Sequence, residues 1–466
     1  MRSIFKMPFL SKWRKVAQDA TVGFVVRGKK RTAFRLSPTQ LRGHSVLIGR
    51  AGTGKTTLSG HLANAAMQNG AALIVIDMEG DLVPNLIARI PRKRAEEVCL
   101  IDLSNESHVP GWNLLDVSHG DDADLIFANL ARTAVGLWGK YWNPHAEKAL
   151  GAAVRIFIAA NRVLVQRGEP QFTLLDVPVL FESADFRRRI LKFLSAPDLT
   201  RWENGHLESL EVFDDLDLMA TLITPLHTLV ADSAADVLGQ STSTFNPREL
   251  LEPGHITLLN ASGMALLPEM RRWLAALLAD RVNLLVMDRQ ASSGIQATSL
   301  VVAVNGNLQI PYLDDPEFLA ELQRAGASYI LPYWFVRAPD TKGPGLPQAL
   351  LEKARNLFIF HPTGCDAELL SAALGGSMSS RDFFDLPYHA CYVQTHAENG
   401  GVLVQQITTA RPPKTDQRAA ERTLARIKSC ARSATDVSIE RQQFFHKWHR
   451  DELAVWESCY ASKIGI

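Results

Sequence analysis

The sequence predicts an α/β fold: a mainly parallel sheet with helices on both faces, an inserted all-α domain and a C-terminal helical tail. Two observations carry this prediction. Short apolar runs that end at a polar residue or a glycine recur along the chain, and helical segments separate them. A long central stretch instead repeats its apolar residues at helical spacing. Continuous apolar strands are typical of sheets that are covered on both faces.

The first elements along the chain form a βαβ unit. The apolar run 46–48 predicts a strand, a glycine-rich loop follows it, and a helix is expected over 57–68. Gly70 ends this helix, since glycine readily takes the left-handed conformation found there. The next apolar run, 72–76, predicts a second strand that closes at Asp77. A strand, a helix and a strand in this order imply a parallel pair.

The remaining elements divide the chain into five parts. Further strands are predicted at 98–101, 255–260, 300–304, 328–331 and 357–360, with 392–394 and 403–407 as an antiparallel edge. We expect a basic, amphipathic arm (1–31), the first part of the core (32–118), a helical insertion (119–235), the second part of the core (236–410), and a linker with a helical tail (411–466).

Composition excludes several classes of protein. The chain has 466 residues, 46% of them hydrophobic, which corresponds to about three domain-equivalents at roughly 150 residues each. Lys and Arg number 50 against 49 Asp and Glu, giving a net charge of +1. This balance excludes a histone-like cation and an acidic solvating chain, so any nucleic-acid surface has to be a local patch.

Cysteine usage and hydropathy indicate the compartment. The five cysteines lie far apart, include no CxxC pair and are odd in number, which argues against a disulfide framework and a thiolate zinc site. The most apolar stretch, 149–165, is interrupted by Arg155, Asn161 and Arg162, so a membrane-spanning helix is not expected. We expect a cytoplasmic protein. The arm 1–31 is either a docking or frayed terminus or a peripheral contact at the inner membrane.

The loop after the first strand carries the clearest chemistry. Its glycines let successive backbone N–H groups turn inward toward phosphate oxygens, and the following helix adds its dipole. Lys55 is expected to reach the β- and γ-phosphates of ATP, and the Thr56 hydroxyl to ligate Mg²⁺. A purely structural glycine turn would not explain a lysine and a threonine at the helix start. The predicted nucleotide-binding residues are Gly49, Arg50, Ala51, Gly52, Thr53, Gly54, Lys55, Thr56 and Thr57.

Further segments form a wider pattern with this loop. They are His44, 75–82, 90–94, 101–102, 111–115, 138–142, 173–176 and 254–263. In this order and spacing they resemble the HerA–FtsK group of ring ATPases over roughly residues 35–412, and most of all the coupling proteins of type IV secretion and conjugation with their soluble relatives. The resemblance implies a RecA-like core, bound ATP and Mg²⁺, and a homo- or hetero-hexameric ring. It also implies DNA, or a protein bound to DNA, in the pore, and secretion-system or motor proteins as partners.

The sequence departs from the group where hydrolysis is performed. The group ends a strand with Asp-Glu, the metal-side carboxylate and the base, whereas the strand 300–304 is followed by Asn305 and Gly306. No glutamine stands in 329–334, where the group has a γ-phosphate sensor, and His361 replaces an arginine. Arg324 remains a candidate interface cation. These differences predict a subunit that binds ATP and hydrolyses it poorly or not at all.

One carboxylate could replace the missing base. Glu79 follows Asp77 after the second strand and resembles the catalytic glutamate that RecA-type recombinases carry on a comparable strand. In this interpretation Glu79 orients the attacking water and Asp77 joins the Mg²⁺ shell. The alternative is that Glu79 is a solvent-facing turn residue.

Three functions therefore remain open. The first is an ATP-binding ring subunit of a DNA or protein–DNA translocation motor of the conjugation or type IV secretion kind. The second is a non-hydrolysing scaffold or regulatory subunit that uses nucleotide structurally. The third is a HerA-like translocase in phage defence or DNA repair.

Two further patterns have a functional and an ordinary interpretation. Basic clusters at 27–31, 89–94 and 187–192 either contact phosphates or form solvated faces. The aromatic residues at 444–456 either pack in the core or dock onto a partner, and the HxxH pair His446 and His449 is expected to be an exposed helix face rather than a metal site.

Overall fold

The computed structural model of this chain divides into two compact units. It describes residues 19–120, 123–195, 216–231, 233–263, 266–293, 299–336, 345–374, 376, 378–396, 400–412 and 417–448. Unit 1 comprises Met1–Leu100, Glu249–Leu259 and Leu285–Lys428, and unit 2 comprises Ile101–Arg248, Asn260–Leu284 and Ser429–Ile466. The helical insertion expected at 119–235 thus falls inside unit 2, while the expected tail is divided between the two units.

The described residues form fourteen strands. They are β1 (Ala20–Arg27), β2 (Lys30–Leu36), β3 (Ser45–Ile48), β4 (Ala72–Asp77), β5 (Val98–Asp102), β6 (His108–Val109), β7 (Ile256–Asn260), β8 (Leu300–Asn305), β9 (Ala327–Tyr333), β10 (Asn356–Ile359), β11 (Ala390–His396), β12 (Val402–Thr409), β13 (Lys428–Ser429) and β14 (Arg432–Ser433).

The α-helices of the described residues surround and separate these strands. They are α1 (Pro38–Leu41), α2 (Lys55–Gln68), α3 (Leu82–Ile87), α4 (Ala123–Thr133), α5 (Val135–Trp138), α6 (Pro144–Gln166), α7 (Val177–Glu182), α8 (Ala184–Leu191), α9 (Leu216–Ala231), α10 (Ala234–Leu238), α11 (Pro268–Ser293), α12 (Pro316–Arg324), α13 (Gln348–Lys353), α14 (Gly364–Ala373), α15 (Ser380–Phe384), α16 (Gln417–Leu424) and α17 (Ala434–Trp448). Short 3₁₀ helices cover Arg92–Glu97, Gly139–Tyr141, Leu174–Asp176 and Glu249–Leu251.

Twelve of the strands form one mixed sheet. Its order is β13-β5-β7-β4-β8-β9-β3-β10-β11-β12-β1-β2. The neighbours from β4 through β10 pair in parallel, and those from β10 through β2 pair antiparallel. Every residue of β3, β4 and β8 is buried, as the continuous apolar runs predict for strands covered on both faces. The predicted α/β fold with a parallel core sheet is confirmed.

The antiparallel edge extends further than the sequence suggests. The expected arm reaches residue 31, yet Ala20–Arg27 and Lys30–Leu36 form a hairpin that joins the sheet through β12. Gly23 makes this pairing possible, because a Cβ at this position would lie 2.6 Å from the Thr408 carbonyl oxygen. Residues 1–18, and with them the predicted membrane contact, lie outside the described residues.

Unit 2 contains the long apolar helix. The helix α6 is long and apolar enough to cross a membrane, with a mean hydropathy of 1.4 in its best window, but 67% of that window is buried inside the protein. Within the same unit, Phe444 and Trp448 of α17 pack against Phe172, with ring centroids 5.5 and 5.0 Å apart. The described part of the aromatic pattern near the C-terminus is therefore core packing, the ordinary one of its two interpretations.

The cysteines differ from the expectation. Cys99 and Cys430 are disulfide-bonded, whereas Cys365 and Cys391 are free thiols.

Candidate nucleotide-binding site

The glycine-rich loop joins the carboxyl end of β3 to the first turn of α2. Gly49, Gly52 and Gly54 have φ values of 153°, 76° and 112°, which L-residues rarely adopt. A Cβ on Gly49 would also lie 2.7 Å from Phe360 Cβ. The neighbouring strands fix the loop from both sides, since the Gly49 N–H donates to the Tyr333 carbonyl at 3.1 Å and the Arg50 N–H to the His361 carbonyl at 2.9 Å.

Lys55 lies inside this loop. Its Nζ donates to the carbonyl oxygens of Gly49 at 2.6 Å and Arg50 at 2.8 Å, and the residue is 7% exposed. Burial lowers the pKa of the Lys55 amine to about 8, and the nearby Glu79 carboxylate opposes part of that shift. The backbone carbonyls thus hold the lysine at the start of α2, where phosphate oxygens would replace them as partners.

Asn305, at the end of β8, connects the loop to the neighbouring strand. Its Oδ1 accepts from the Thr56 hydroxyl at 3.3 Å, and its Nδ2 donates to Asp77 Oδ1 at 2.8 Å and to Asp81 Oδ1 at 2.5 Å. The pairing of Asp77 with Asn305 in the parallel register of β4 and β8 sets this arrangement. The amide therefore lies at the carboxyl end of β8, next to the threonine.

The carboxylate of Asp77 closes the turn from β4 into α3. Besides the Asn305 amide, its Oδ1 accepts from the N–H groups of Glu79 at 3.2 Å and Gly80 at 2.9 Å, and Oδ2 accepts from Val83 N–H at 2.8 Å. The side chain is completely buried. These four donors occupy both oxygens, so the geometry explains Asp77 as a turn residue.

Glu79 lies close to Gly306, which has no side chain. A Cβ built on Gly306 would lie 3.4 Å from Glu79 Cγ and 2.8 Å from Met78 Cβ. Gly306 also has a φ of 105°, which disfavours any larger residue. Glu79 is exposed, and its pKa is raised by partial burial and by Asp81, while Lys55 acts in the opposite direction. Glu79 Cγ thus lies within van der Waals distance of the place that a Cβ on residue 306 would take, next to Met78.

A magnesium ion fits this arrangement with a single protein ligand. The Thr56 hydroxyl oxygen can coordinate the ion through a lone pair while its hydrogen continues to be donated to Asn305 Oδ1 in a hydrogen bond. Asn305 then orients Thr56 but adds no negative charge. Among the described residues no group of three or more His, Cys, Asp or Glu side chains could hold a metal, so nucleotide phosphates would supply the other charged ligands.

The other residues singled out in the sequence are spread over unit 1. Arg324 ends α12 before β9 begins, so it lies at the edge of the sheet opposite the phosphate loop, and its exposed side chain donates to the Ala320 carbonyl at 3.3 Å. His361 follows β10 and reaches the loop through its backbone carbonyl. No described residue in 329–334 is a glutamine, and the Tyr333 carbonyl holds the loop instead.

Two of the basic clusters each contain at least one structural arginine, whereas the third is exposed throughout. Arg94 is buried and donates to the carbonyls of Met67 and Gly254, and Arg187 in unit 2 donates to those of Leu180 and Phe181. These arginines satisfy carbonyl groups of their own unit. In contrast, the cluster at 27–31 forms the exposed tip of the β1–β2 hairpin.

Sequence reasoning missed residues that the topology brings to the loop. Because β11 runs antiparallel to β10, the turn before β11 lies at the same sheet edge as the phosphate loop. This turn holds Tyr388, which is 84% exposed, and His389, whose φ is 60°. The sequence signal is faint: a Pro-Tyr-His triplet ahead of a short strand.

The fold and the loop define a P-loop ATPase core. The glycine loop, the buried lysine and the threonine stand at the carboxyl edge of a parallel sheet, which is the arrangement that binds nucleotide phosphates. Residues 20–126 match the family model described as the central domain of helicase HerA. This part of the chain is therefore similar to the central domain of helicase HerA.

Solved structures show the same fold over most of the chain. The plasmid coupling protein TrwB in complex with the non-hydrolysable GTP analogue GDPNP is 16% identical, with a TM-score of 0.55, and the match covers 87% of this chain and 98% of that one. VirB4 of Thermoanaerobacter pseudethanolicus is 14% identical, with a TM-score of 0.52, covering 85% and 98%. The unbound monoclinic form of TrwBdeltaN70 is 15% identical, with a TM-score of 0.52, covering 83% and 88%. No curated protein sequence matches the chain.

Proposed function

We propose that this chain is an ATP-binding subunit of a ring-forming translocation machine of the HerA and coupling-protein kind, and that it turns ATP over slowly. One observation carries the proposal: Lys55 and Thr56 keep their places in an intact phosphate loop, while the adjoining strand presents an amide, Asn305, toward the metal side. The complex of TrwB with a GTP analogue supports nucleotide binding by a protein of this fold.

Slow turnover follows from what surrounds the γ-phosphate position. Asn305 orients Thr56 without adding charge, and Gly306 offers no base. Losing one contact that stabilises transition-state charge typically costs about 10²–10³-fold in rate. In this proposal Glu79 orients the attacking water, because its Cγ lies 3.4 Å from the place of a Cβ on residue 306 and its carboxylate interacts with Lys55. Asp77 has no part in the metal shell in this proposal, since four donors already occupy its oxygens.

The assembly and the substrate follow from the resemblance and from one exposed surface. A hexameric ring, with Arg324 at an interface, and a partner from a secretion or DNA-processing system are what the resemblance implies. The β1–β2 hairpin supports DNA as the substrate, because residues 20–36 contain five Lys or Arg side chains and no Asp or Glu. Such a patch would contact phosphates in a salt-dependent manner.

The second candidate is a non-hydrolysing scaffold subunit. The conformation of Gly306 favours it, because its φ of 105° and its proximity to Met78 leave no room for a base at that position. If Glu79 does not orient water, nucleotide would act as a structural ligand that stabilises the fold by mass action.

Steady-state ATP hydrolysis and nucleotide affinity distinguish the two candidates. We would measure both for the purified chain, for Lys55→Ala and for Glu79→Gln, with and without DNA. Slow turnover that disappears in Glu79→Gln, with affinity retained, supports the ATPase. Tight binding that disappears in Lys55→Ala, without turnover under any condition, supports the scaffold. Absence of nucleotide binding by the wild-type chain would contradict both.

A further inference from the structure

An aromatic surface adjoins the phosphate loop on the side away from Asn305. The rings of His361 and Tyr388 have centroids 6.4 Å apart with planes inclined by 46°. Tyr388 is 84% exposed, the largest exposed fraction among the large hydrophobic residues described. A single exposed tyrosine would be unremarkable on a protein surface, but this one lies beside a phosphate loop.

Two backbone contacts place this surface next to the loop. His361 accepts from the Arg50 N–H through its carbonyl at 2.9 Å. On the other side, a Cβ on Gly54 would lie 3.2 Å from His389 Nδ1, so the imidazole rests against the loop just before Lys55. The turn that carries Tyr388 is therefore in contact with the segment that would hold the phosphates.

This turn is held in a fixed conformation. His389 has a φ of 60°, unusual for a residue other than glycine. Its carbonyl oxygen accepts from both the N–H of Thr409 at 2.8 Å and its hydroxyl at 3.0 Å, and the Ala390 N–H donates to Pro387 at 3.0 Å. The neighbouring strand thus fixes the backbone on which Tyr388 is presented.

The strand order determines which end of a nucleotide would reach Tyr388. Mg²⁺ bridges the β- and γ-phosphates, so the γ end belongs near Thr56 and Asn305, on the side of β8. The local order is β8-β9-β3-β10-β11, which puts β10 and β11 on the other side of the loop strand. A phosphate chain that crosses the start of α2 from the β8 side therefore directs its nucleoside toward the turn before β11.

We propose that Tyr388 is the stacking platform for the nucleobase of the bound nucleotide, with His361 and His389 flanking it. The proposal rests on the proposed nucleotide binding and adds the site of the base to it. A flat aromatic face binds the π-face that every base has, and one base–aromatic stack is worth a substantial share of the affinity of a small ligand.

The test compares ATP with a ligand that lacks the base. Affinities for ATP and for inorganic tripolyphosphate would be measured with the full chain for the wild type, Tyr388→Ala and Tyr388→Phe. Tyr388→Ala should weaken ATP binding about 5- to 150-fold, the range for loss of one base–aromatic stack, and leave tripolyphosphate unchanged. Tyr388→Phe should keep ATP affinity within about twofold, since the ring face is retained.

Two controls keep the outcomes distinct. Tyr141→Ala removes a tyrosine of 47% exposure in unit 2 and should change neither affinity. Lys55→Ala should weaken both ligands, because it removes the charge inside the loop. If the wild type binds ATP no more tightly than tripolyphosphate, or if Tyr388→Ala leaves ATP binding intact, the proposal that Tyr388 stacks on the base is wrong. The proposal that the loop binds phosphates is unaffected by that result. If neither ligand binds the wild type, the proposed function itself fails.

Discussion

Asn305 Nδ2 donates to Asp77 Oδ1 at 2.8 Å, and this bond makes the end of β8 part of the turn that follows β4. The same amide also holds Asp81 and accepts from Thr56. An asparagine is suited to this place because one side chain must both donate to carboxylates and accept from a hydroxyl. Asn305 therefore has a structural role in the turn that a carboxylate at this position would not fulfil.

Asn305→Asp should destabilise the chain rather than restore activity. The new carboxylate would face Asp77 and Asp81, losing two donated hydrogen bonds and adding like-charge repulsion, at a cost of about 1–3 kcal/mol. We expect a lower thermal unfolding midpoint in the presence of a chelator, with partial recovery in Mg²⁺ and ATP. Asn307→Asp, an exposed position two residues on, is the matched control and should change little. An unaltered midpoint for Asn305→Asp would contradict the network.

Nucleotide affinity should fall at alkaline pH. The Lys55 pKa of about 8 means that the amine loses its charge above that pH, and a neutral amine attracts phosphate poorly. Phosphate binds the charged form of the Lys55 amine. Above pH 8, nucleotide binding is therefore coupled to proton uptake, and the affinity for ATP declines by up to about tenfold per pH unit. Calorimetric or fluorescence titration with ATP from pH 6.5 to 9.5 measures this. Arginine stays charged over this range, so Lys55→Arg should bind ATP more weakly but without the pH dependence. If the ATP affinity of both proteins falls equally with pH, Lys55 is not the cause.

His44 should make the fold sensitive to acid. The Tyr329 N–H donates to its Nδ1 at 3.3 Å, so Nε2 carries the hydrogen that faces the Leu319 carbonyl at 3.4 Å, and burial lowers the pKa to about 4. Since the folded pKa is depressed below 6.5, stability is complete above pH 6.5 and is lost progressively as pH falls toward 4. The difference corresponds to about 3 kcal/mol.

Denaturant unfolding at pH 7 and pH 4.5 measures the effect of His44. His44→Gln should be less stable at pH 7 but lose less stability on acidification than the wild type. His108→Gln, at an exposed position of unit 2, provides the control and should follow the wild type. If His44→Gln shows the same acid loss as the wild type, other groups are responsible.

Gly306→Glu should not rescue hydrolysis. Its Cβ would lie 2.8 Å from Met78 Cβ, in a backbone conformation of φ 105°. Strain of this kind costs about 1–3 kcal/mol, so we expect a lower unfolding midpoint and no gain in ATP turnover. Two alanine variants separate backbone strain from steric crowding. Gly28→Ala introduces strain alone, since Gly28 has a positive φ but nothing within 4 Å of an added Cβ, whereas Gly306→Ala introduces both. A Gly306→Glu protein that is both stable and faster would show that the turn can adjust.

The sequence predicts the strands of the parallel core and the antiparallel strands near 392–394 and 403–407, but not the β1–β2 hairpin. Buried strands such as Leu300–Asn305 are continuous apolar runs, and the loop glycines occur at a spacing tied to one conformation, so both are readable locally. The β1–β2 hairpin is harder to predict, because β2 is mostly polar and β1 joins the sheet by pairing with β12, which is distant in the chain. Its register also shifts between Thr21 and Gly23.

The candidate site likewise contains residues that the local sequence identifies and residues whose roles depend on the tertiary structure. Lys55 and Thr56 are identified by their positions relative to the glycines. The role of Asp77 and the proposed role of Tyr388 involve partners brought together by strand order: the Asn305 amide, which joins three local N–H donors, in one case and a neighbouring antiparallel strand in the other. The sequence alone offered Asp77 as a metal ligand because a carboxylate after a strand is ambiguous until its hydrogen bonds are known.

The position of β2 at the end of the sheet order has a consequence for solubility. Among the described residues β2 is a terminal strand, and such a strand exposes backbone groups onto which another molecule could add a strand. The side chains of Lys30, Arg31 and Arg35 are exposed along β2. Two copies that approached each other through this edge would bring these like charges together. The charges of the hairpin therefore protect the open end of a twelve-stranded sheet from adding strand upon strand into an aggregate.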